Sequence, residues 1–167
     1  LESLTADVGA VRRALDRASP RGSTALVDAI YSALRLREPG ERRTAIVVFS
    51  DGLENVSWLP ASDVVEAASR SNAIVYGVAV RGKGDPKERF LTEVVRATGG
   101  QLFEASSERD LRARFLDVLG DIRARYVLSY APAGTGSAGW HTLAVRLKRG
   151  RGDVLARPGY WRYGTSP

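Results

Sequence analysis

Two apolar runs constrain this chain more than any other feature: Thr44–Ser50 (TAIVVFS) and Ala73–Val80 (AIVYGVAV). Both are continuous and rich in β-branched residues instead of alternating, the pattern of strands covered on both faces. Around them the period lengthens to that of helices. Val8, Val11, Leu15 and Ala18 fall on one helical face, ended by Ser19-Pro20-Arg21-Gly22. Leu26, Ala29, Ile30, Ala33 and Leu34 form the buried stripe of a helix over about Ala25–Arg37, which the hydroxyls of Ser23-Thr24 can cap and Pro39-Gly40 closes. A short helix is predicted over Ser62–Ser71. Another is marked by Phe90, Leu91, Val94 and Val95 and terminated at Gly99-Gly100, before a short strand at Gln101–Ala105. Ser107 with Asp110 resembles a capping box that opens a helix to about Arg125, with Leu111, Phe115, Val118, Leu119 and Ile122 on its apolar face. Strands alternating with helices of this length predict an α/β fold, a doubly wound, mostly parallel sheet with flanking helices.

After Arg125 the rhythm changes. Tyr126–Ala131, Trp140–Lys148 and Asp153–Arg157 are strand-like and joined by Gly-rich connections without a helix. Short connections force antiparallel pairing, so a C-terminal antiparallel β extension is predicted against a sheet edge or a helix layer. The chain therefore divides into an α/β part, 1–125, and an extension with tail, 126–167. The aromatic set Tyr126, Tyr130, Trp140, Tyr160 and Trp161 reads as core filling between them, with any exposed subset forming an interface.

Composition narrows the chemistry. There are no cysteines, which excludes disulfides and thiolate metal ligands. The net charge of +6 comes from arginines scattered along the chain, several beside acids as in Glu41-Arg42-Arg43, and this reads as a mixed solvated surface and not a nucleic-acid face. No apolar run approaches the roughly 20 residues of a membrane span. Leu1–Ala18 is neither a signal peptide nor a start-codon terminus, which leads to the expectation of a fragment whose beginning lies elsewhere.

In a parallel α/β sheet, ligands gather at the carboxyl ends of the strands. Two segments point there: Ser50-Asp51-Gly52-Leu53-Glu54-Asn55 after the first buried run, and Gly22-Ser23-Thr24-Ala25-Leu26 at a helix start. A hydroxyl and a carboxylate meeting at this rim are hard oxygen ligands suited to Mg²⁺ or Mn²⁺. Taken singly, Thr24 reads as a helix cap and Asp51-Gly52 as a turn.

Together the order and spacing carry more. GSTALVDAIYSAL, then TAIVVFSDGLEN, then AIVYGVAV, then a helix ending ATGGQLFEAS resemble the von Willebrand factor A domain family over about Thr5–Arg125. RYVLSYAP and ARPGYW resemble its bacterial subgroup with a C-terminal β extension. The resemblance implies a Rossmann-like sheet bearing a metal-ion-dependent adhesion site that docks an acidic residue of a protein partner. Thr24 would be the direct hydroxyl ligand and Asp51 an outer carboxylate acting through water. Ser23, Gly52, Glu54 and Asn55 would line the partner-binding rim. The family's Asp-x-Ser-x-Ser loop is absent: Asp28-Ala-Ile-Tyr-Ser32 and Asp63-Val-Val-Glu-Ala67 both fail the pattern. The resemblance thus implies a chain truncated before its first strand, an incomplete site, and an apolar sheet edge along Thr44–Ser50 open to self-association. It also favours an exported location over a cytoplasmic one.

The function expected is a divalent-metal-dependent protein-binding module of adhesion type, and not an enzyme. The alternative is a structural module with a vestigial metal site that binds through its aromatic extension. Against catalysis stand a single histidine, His141, read as a surface strand residue, and the lack of a nucleophile elbow or phosphate loop. Gly82-Lys83-Gly84 lacks the third glycine of a dinucleotide fingerprint. Asp51 as a phosphoacceptor would need an earlier acidic pair and a later lysine that the sequence does not place. An arginine stripe at Arg109, Arg112, Arg123 and Arg125 has no recognition motif beside it.

Overall fold

The computed structural model describes residues 5–19, 22–36, 43–51, 56–80, 88–131 and 137–163. The elements run α1 (Val8–Arg17), α2 (Leu26–Arg35), β1 (Ala45–Ser50), α3 (Ala61–Arg70), β2 (Ile74–Val80), α4 (Glu88–Thr98), β3 (Leu102–Ala105), α5 (Glu108–Ala124), β4 (Gly139–Thr142) and β5 (Gly159–Arg162). The first three strands form a parallel sheet in the order β1-β2-β3, and β4 pairs β5 antiparallel in a separate ribbon. This is the predicted mixed α/β architecture.

Alternation along the strands splits the core in two. Ala73 and Val75 face a layer made by α2, α3 and α4, packing with Leu26, Ile30, Val64, Leu91 and Val94. Tyr76 and Val78 face the other way, onto Val118 of α5 and Ala105. In α2 the buried residues are Leu26, Val27, Ile30 and Leu34, so Val27 takes the place expected for Ala29, which is exposed. The α4 stripe Phe90, Leu91, Val94 and Val95 is buried as predicted.

The turn after α4 packs closely against β2. Gly99 adopts φ +72° and donates to Arg96 O at 3.2 Å, while Gly100 N donates to Val95 O at 2.9 Å, the paired bonds of a Schellman cap. Buried Thr98 supplies a hydroxyl that accepts from Val75 N at 3.0 Å, where β2 runs past the start of β3.

Four expectations are corrected. The run Thr44–Ser50 reads as a strand covered on both faces, yet β1 is only half-buried, since a β-branched run reports apolar neighbours and not their number; its place at one edge of the described sheet is the one expected. The cap of α2 is Ala25 with no side-chain cap bond, and Ser107 caps α5 without one, although Asp110 Oδ2 accepts from Ser106 N at 3.0 Å. The face of α1 (Val8, Val11, Leu15) is exposed, and α1 packs against no other described element. In the extension, Tyr126–Ala131 and Asp153–Arg157 are not strands, while Gly159–Arg162, expected only as tail, is β5.

The ribbon docks on α3. Arg157 Nη2 donates to Ser69 O and Ser71 O, both at 2.9 Å, closing the carbonyl end of that helix, and the Arg70 guanidinium lies 4.1 Å from the Trp161 ring centroid. Burial first, and the nearby Arg43 charge second, lower the Arg157 pKa. Within the ribbon, Tyr160 stacks on His141 at 5.2 Å, and His141 Nε2 lies 2.9 Å from Ser137 O. Arg157→Ala should cost about 2 kcal/mol through two charged hydrogen bonds. Faster tryptic cleavage near Arg149 and Arg151 than in the parent chain would show the extension released, and an unchanged cleavage rate would refute this anchoring role.

Candidate metal and partner-binding rim

The parallel strands end together at Ser50, Val80 and Ala105, and the chain continues from β1 through Asp51 toward α3. Because α2 leads into the start of β1, its own first turn lies at the opposite, carboxyl end of the sheet. A direct link shows the convergence. Asp28, in the first turn of α2, accepts from Leu59 N through Oδ1 and from Trp58 N through Oδ2, both at 3.0 Å. Its backbone N–H donates to Ser57 Oγ at 3.3 Å. A carboxylate accepting two backbone N–H groups is a charge-assisted clamp, and here it locks the segment before α3 onto the start of α2.

The clamp ties the first turn of α2, just after Thr24, to Ser57–Leu59 before α3. Ser23, Thr24 and Asp51 are all exposed. Gly52, Glu54 and Asn55 lie outside the described residues, as does Gly82-Lys83-Gly84. Trp58 stands on the clamped segment with its side chain 93% exposed, beside a half-buried Leu59 that packs on the core. Its backbone is fixed while its ring is in solvent, the disposition of a preorganised contact residue.

Sequence reasoning missed both Asp28 and Trp58. Asp28 was tested only against a metal-loop pattern. The available signal was an acid at the third position of a helix, which reads equally as a response to the helix dipole.

Whether these residues fit a divalent cation is a question of oxygen count. Thr24 supplies a neutral hydroxyl and Asp51 one carboxylate, and the carboxylate of Asp28 is spent on backbone N–H groups. Among the described residues no group of three or more His, Asp or Glu side chains is gathered as a metal site. Mg²⁺ prefers six oxygens in near-octahedral array, so Thr24 and Asp51 alone would leave most positions to water or to other ligands.

The amino end of the sheet carries different chemistry. Arg70, Ser71 and the ribbon residues Arg157 and Trp161 meet there, so the extension sits at the end remote from Thr24 and Asp51. Tyr126 is 90% exposed, and Tyr130 and Trp140 are also exposed, which corrects their expected burial as core filling; the neighbouring Val127 and Leu128 are exposed as well. Among the described residues no helix is long and apolar enough to cross a membrane.

No family model matches the sequence, and no curated protein matches it. Among solved structures, the chain is similar to the conserved hypothetical protein BatB from Bacteroides thetaiotaomicron. The TM-score is 0.55 with 18% sequence identity, covering 72% of each chain. At that identity the likeness establishes the fold: a parallel α/β sheet flanked by helices, shared with BatB across most of both chains.

Proposed function

We propose that the chain is part of a von Willebrand A-type module that binds a protein partner with the help of a divalent cation at the Thr24–Asp51 rim. The observation that supports this reading is the Asp28 clamp, which ties the start of α2, just after Thr24, to Trp58 and Leu59, downstream of Asp51 in the connection from β1 to α3. Thr24 would hold the cation directly and Asp51 through water, with Ser23, Gly52, Glu54 and Asn55 around it. The partner would offer an acidic residue. The proposal requires oxygen ligands beyond Thr24 and Asp51.

Calorimetric titration with Mg²⁺ and Mn²⁺ tests it. This chain should bind no more tightly than about the millimolar range, the weak end of carboxylate cation sites. A longer form of the protein with upstream sequence should bind at least about tenfold tighter, equivalent to 1.4 kcal/mol or more, and lose that gain in Asp51→Ala. A longer form that ignores both metals would overturn the reading.

A second reading is favoured by one observation, the exposed apolar series Tyr126, Val127, Leu128 and Tyr130. Exposed aromatic and aliphatic residues in contiguous sequence mark interaction surfaces. In this reading the extension binds the partner and the rim is vestigial. Partner capture that survives Asp51→Ala but fails in Leu128→Ser would select it.

A further inference from the structure

The arginines are scattered along the chain, but the net charge is not. Residues 1–125 hold 19 of the 25 basic side chains and 18 of the 19 acidic ones, so they are close to neutral. Residues 126–167 hold the other six bases and one acid, Asp153, and so carry +5 of the formal +6. Two of those six are held within the fold, Arg157 on α3 and the half-buried Arg162 of β5. The remaining four, Arg146, Lys148, Arg149 and Arg151, stand within six consecutive residues of the loop from β4 to β5, and all are exposed. None of the four forms an ion pair with another described residue.

Aliphatic side chains interrupt this charge. Val145, Leu147 and Leu155 lie in the same loop and are exposed. The loop is internal and both its ends are fixed. Leu143 N donates to Pro158 O at 2.8 Å beside the ribbon, and Arg157 ties the returning arm to Ser69 and Ser71. Its apex turns at Gly150, with φ +102°. Elsewhere in the chain acids offset the bases almost one for one. Here the bases lack that balance and share a short loop with exposed leucines, which calls for a partner offering both dense negative charge and an apolar layer.

We infer that the β4–β5 loop is a membrane-surface contact, which lays its four cations among the phosphates of an anionic bilayer and sinks Leu147 and Leu155 below them. The long Arg and Lys stems let the charges stay at headgroup level while neighbouring aliphatic side chains reach the acyl boundary. Nucleic acid offers the same phosphates but no apolar layer, and residues 143–158 contain no aromatic side chain to stack on a base. An acidic protein would have to match its carboxylates to cations held in one arrangement, and Leu143–Pro158 has neither helix nor strand to hold them. Lipid headgroups move laterally to meet each cation.

The inference does not rest on the metal reading, and its test runs with a chelator so that no divalent ion bridges protein and lipid. The chain should sediment with vesicles of phosphatidylcholine and phosphatidylglycerol, stay in solution with phosphatidylcholine alone, and be released progressively by salt. Lys148→Gln and Arg149→Gln should each lower the partition coefficient about fivefold, and the pair about 25-fold. Leu147→Ser should weaken vesicle binding without weakening any residual binding to double-stranded DNA, which separates a bilayer from phosphate in general. All three positions are exposed, so the urea midpoints of the variants should match the parent. A longer form of the protein with upstream sequence should sediment in the same way, because the loop is held at both ends by the ribbon. A chain or longer form that ignores anionic vesicles overturns the inference. So does vesicle binding that survives the double glutamine variant, or DNA binding as tight as vesicle binding.

Discussion

Gly100→Ala is expected to destabilise the protein by about 3 kcal/mol or more, enough to unfold a marginal domain. A Cβ built on Gly100 would stand 1.8 Å from Val75 O and 2.8 Å from Val75 C. Both obstacles are backbone atoms in the middle of the sheet, so no rotamer change relieves the clash. Either β2 moves away from the α4–β3 turn, or the Schellman bonds that end α4 break. The same construction at Gly120 meets nothing within 4 Å. Gly120→Ala should therefore stabilise by about 0.5–1 kcal/mol through helix propensity alone. Urea unfolding of the two variants side by side checks the argument, and equal midpoints would refute it.

The second large effect is expected at Asp121. Tyr76 in the centre of β2 is fully buried, and its hydroxyl donates to Asp121 Oδ2 at 2.5 Å. Arg125 Nε donates to the same carboxylate oxygen at 2.8 Å and to Tyr76 Oη at 2.6 Å. Arg125 Nη2 is buried without a hydrogen-bond partner among the described residues, so the guanidinium depends on Asp121 to offset its desolvation. Asp121→Ala leaves that cation and the phenol without their acceptor. The expected cost is about 2–4 kcal/mol, reduced from the fully buried case because both charged side chains keep some contact with water. Tyr76→Phe should cost only about 1 kcal/mol, because the ion pair survives.

Burial, and then the hydrogen bond to Asp121, push the Tyr76 phenol from 10.0 up to about 12. A raised folded-state value means that the neutral phenol is favoured in the folded protein. Its contribution is complete below pH 10 and is lost as pH rises toward 12. Wild-type stability should fall across that window by about 2 kcal/mol more than that of Tyr76→Phe. Parallel stability profiles of the two proteins would deny the coupling.

Legibility in the sequence followed the physics of each segment. The α/β alternation was readable because the Ala73–Val80 run is buried on both sides and the α4 stripe Phe90, Leu91, Val94 and Val95 keeps a strict helical period. The edge position of β1 was expected from the resemblance alone and not from composition, since TAIVVFS would look the same in the centre of a sheet. The extension misled for a related reason: Tyr126–Ala131 has strand residues, but strand formation needs a partner, and propensity says nothing about whether one arrives. The places of Thr24 just before α2 and of Asp51 just after β1 were legible from the helix and strand patterns. Asp28 was not, because its role as a clamp depends on Trp58 and Leu59, about 30 residues away, presenting their N–H groups.

The seat of Arg157 sets an order in time. Its two carbonyl acceptors are Ser69 in the last turn of α3 and Ser71 at that helix's C-cap, before β2, and its own backbone lies against Gly99 in the turn between α4 and β3. Neither turn has its shape until the parallel strands are in register, and the acceptors lie 88 and 86 residues away along the chain. Closing so long a loop is slow unless its target is already built. Docking of the extension is therefore expected to follow formation of the parallel sheet, during synthesis and refolding alike.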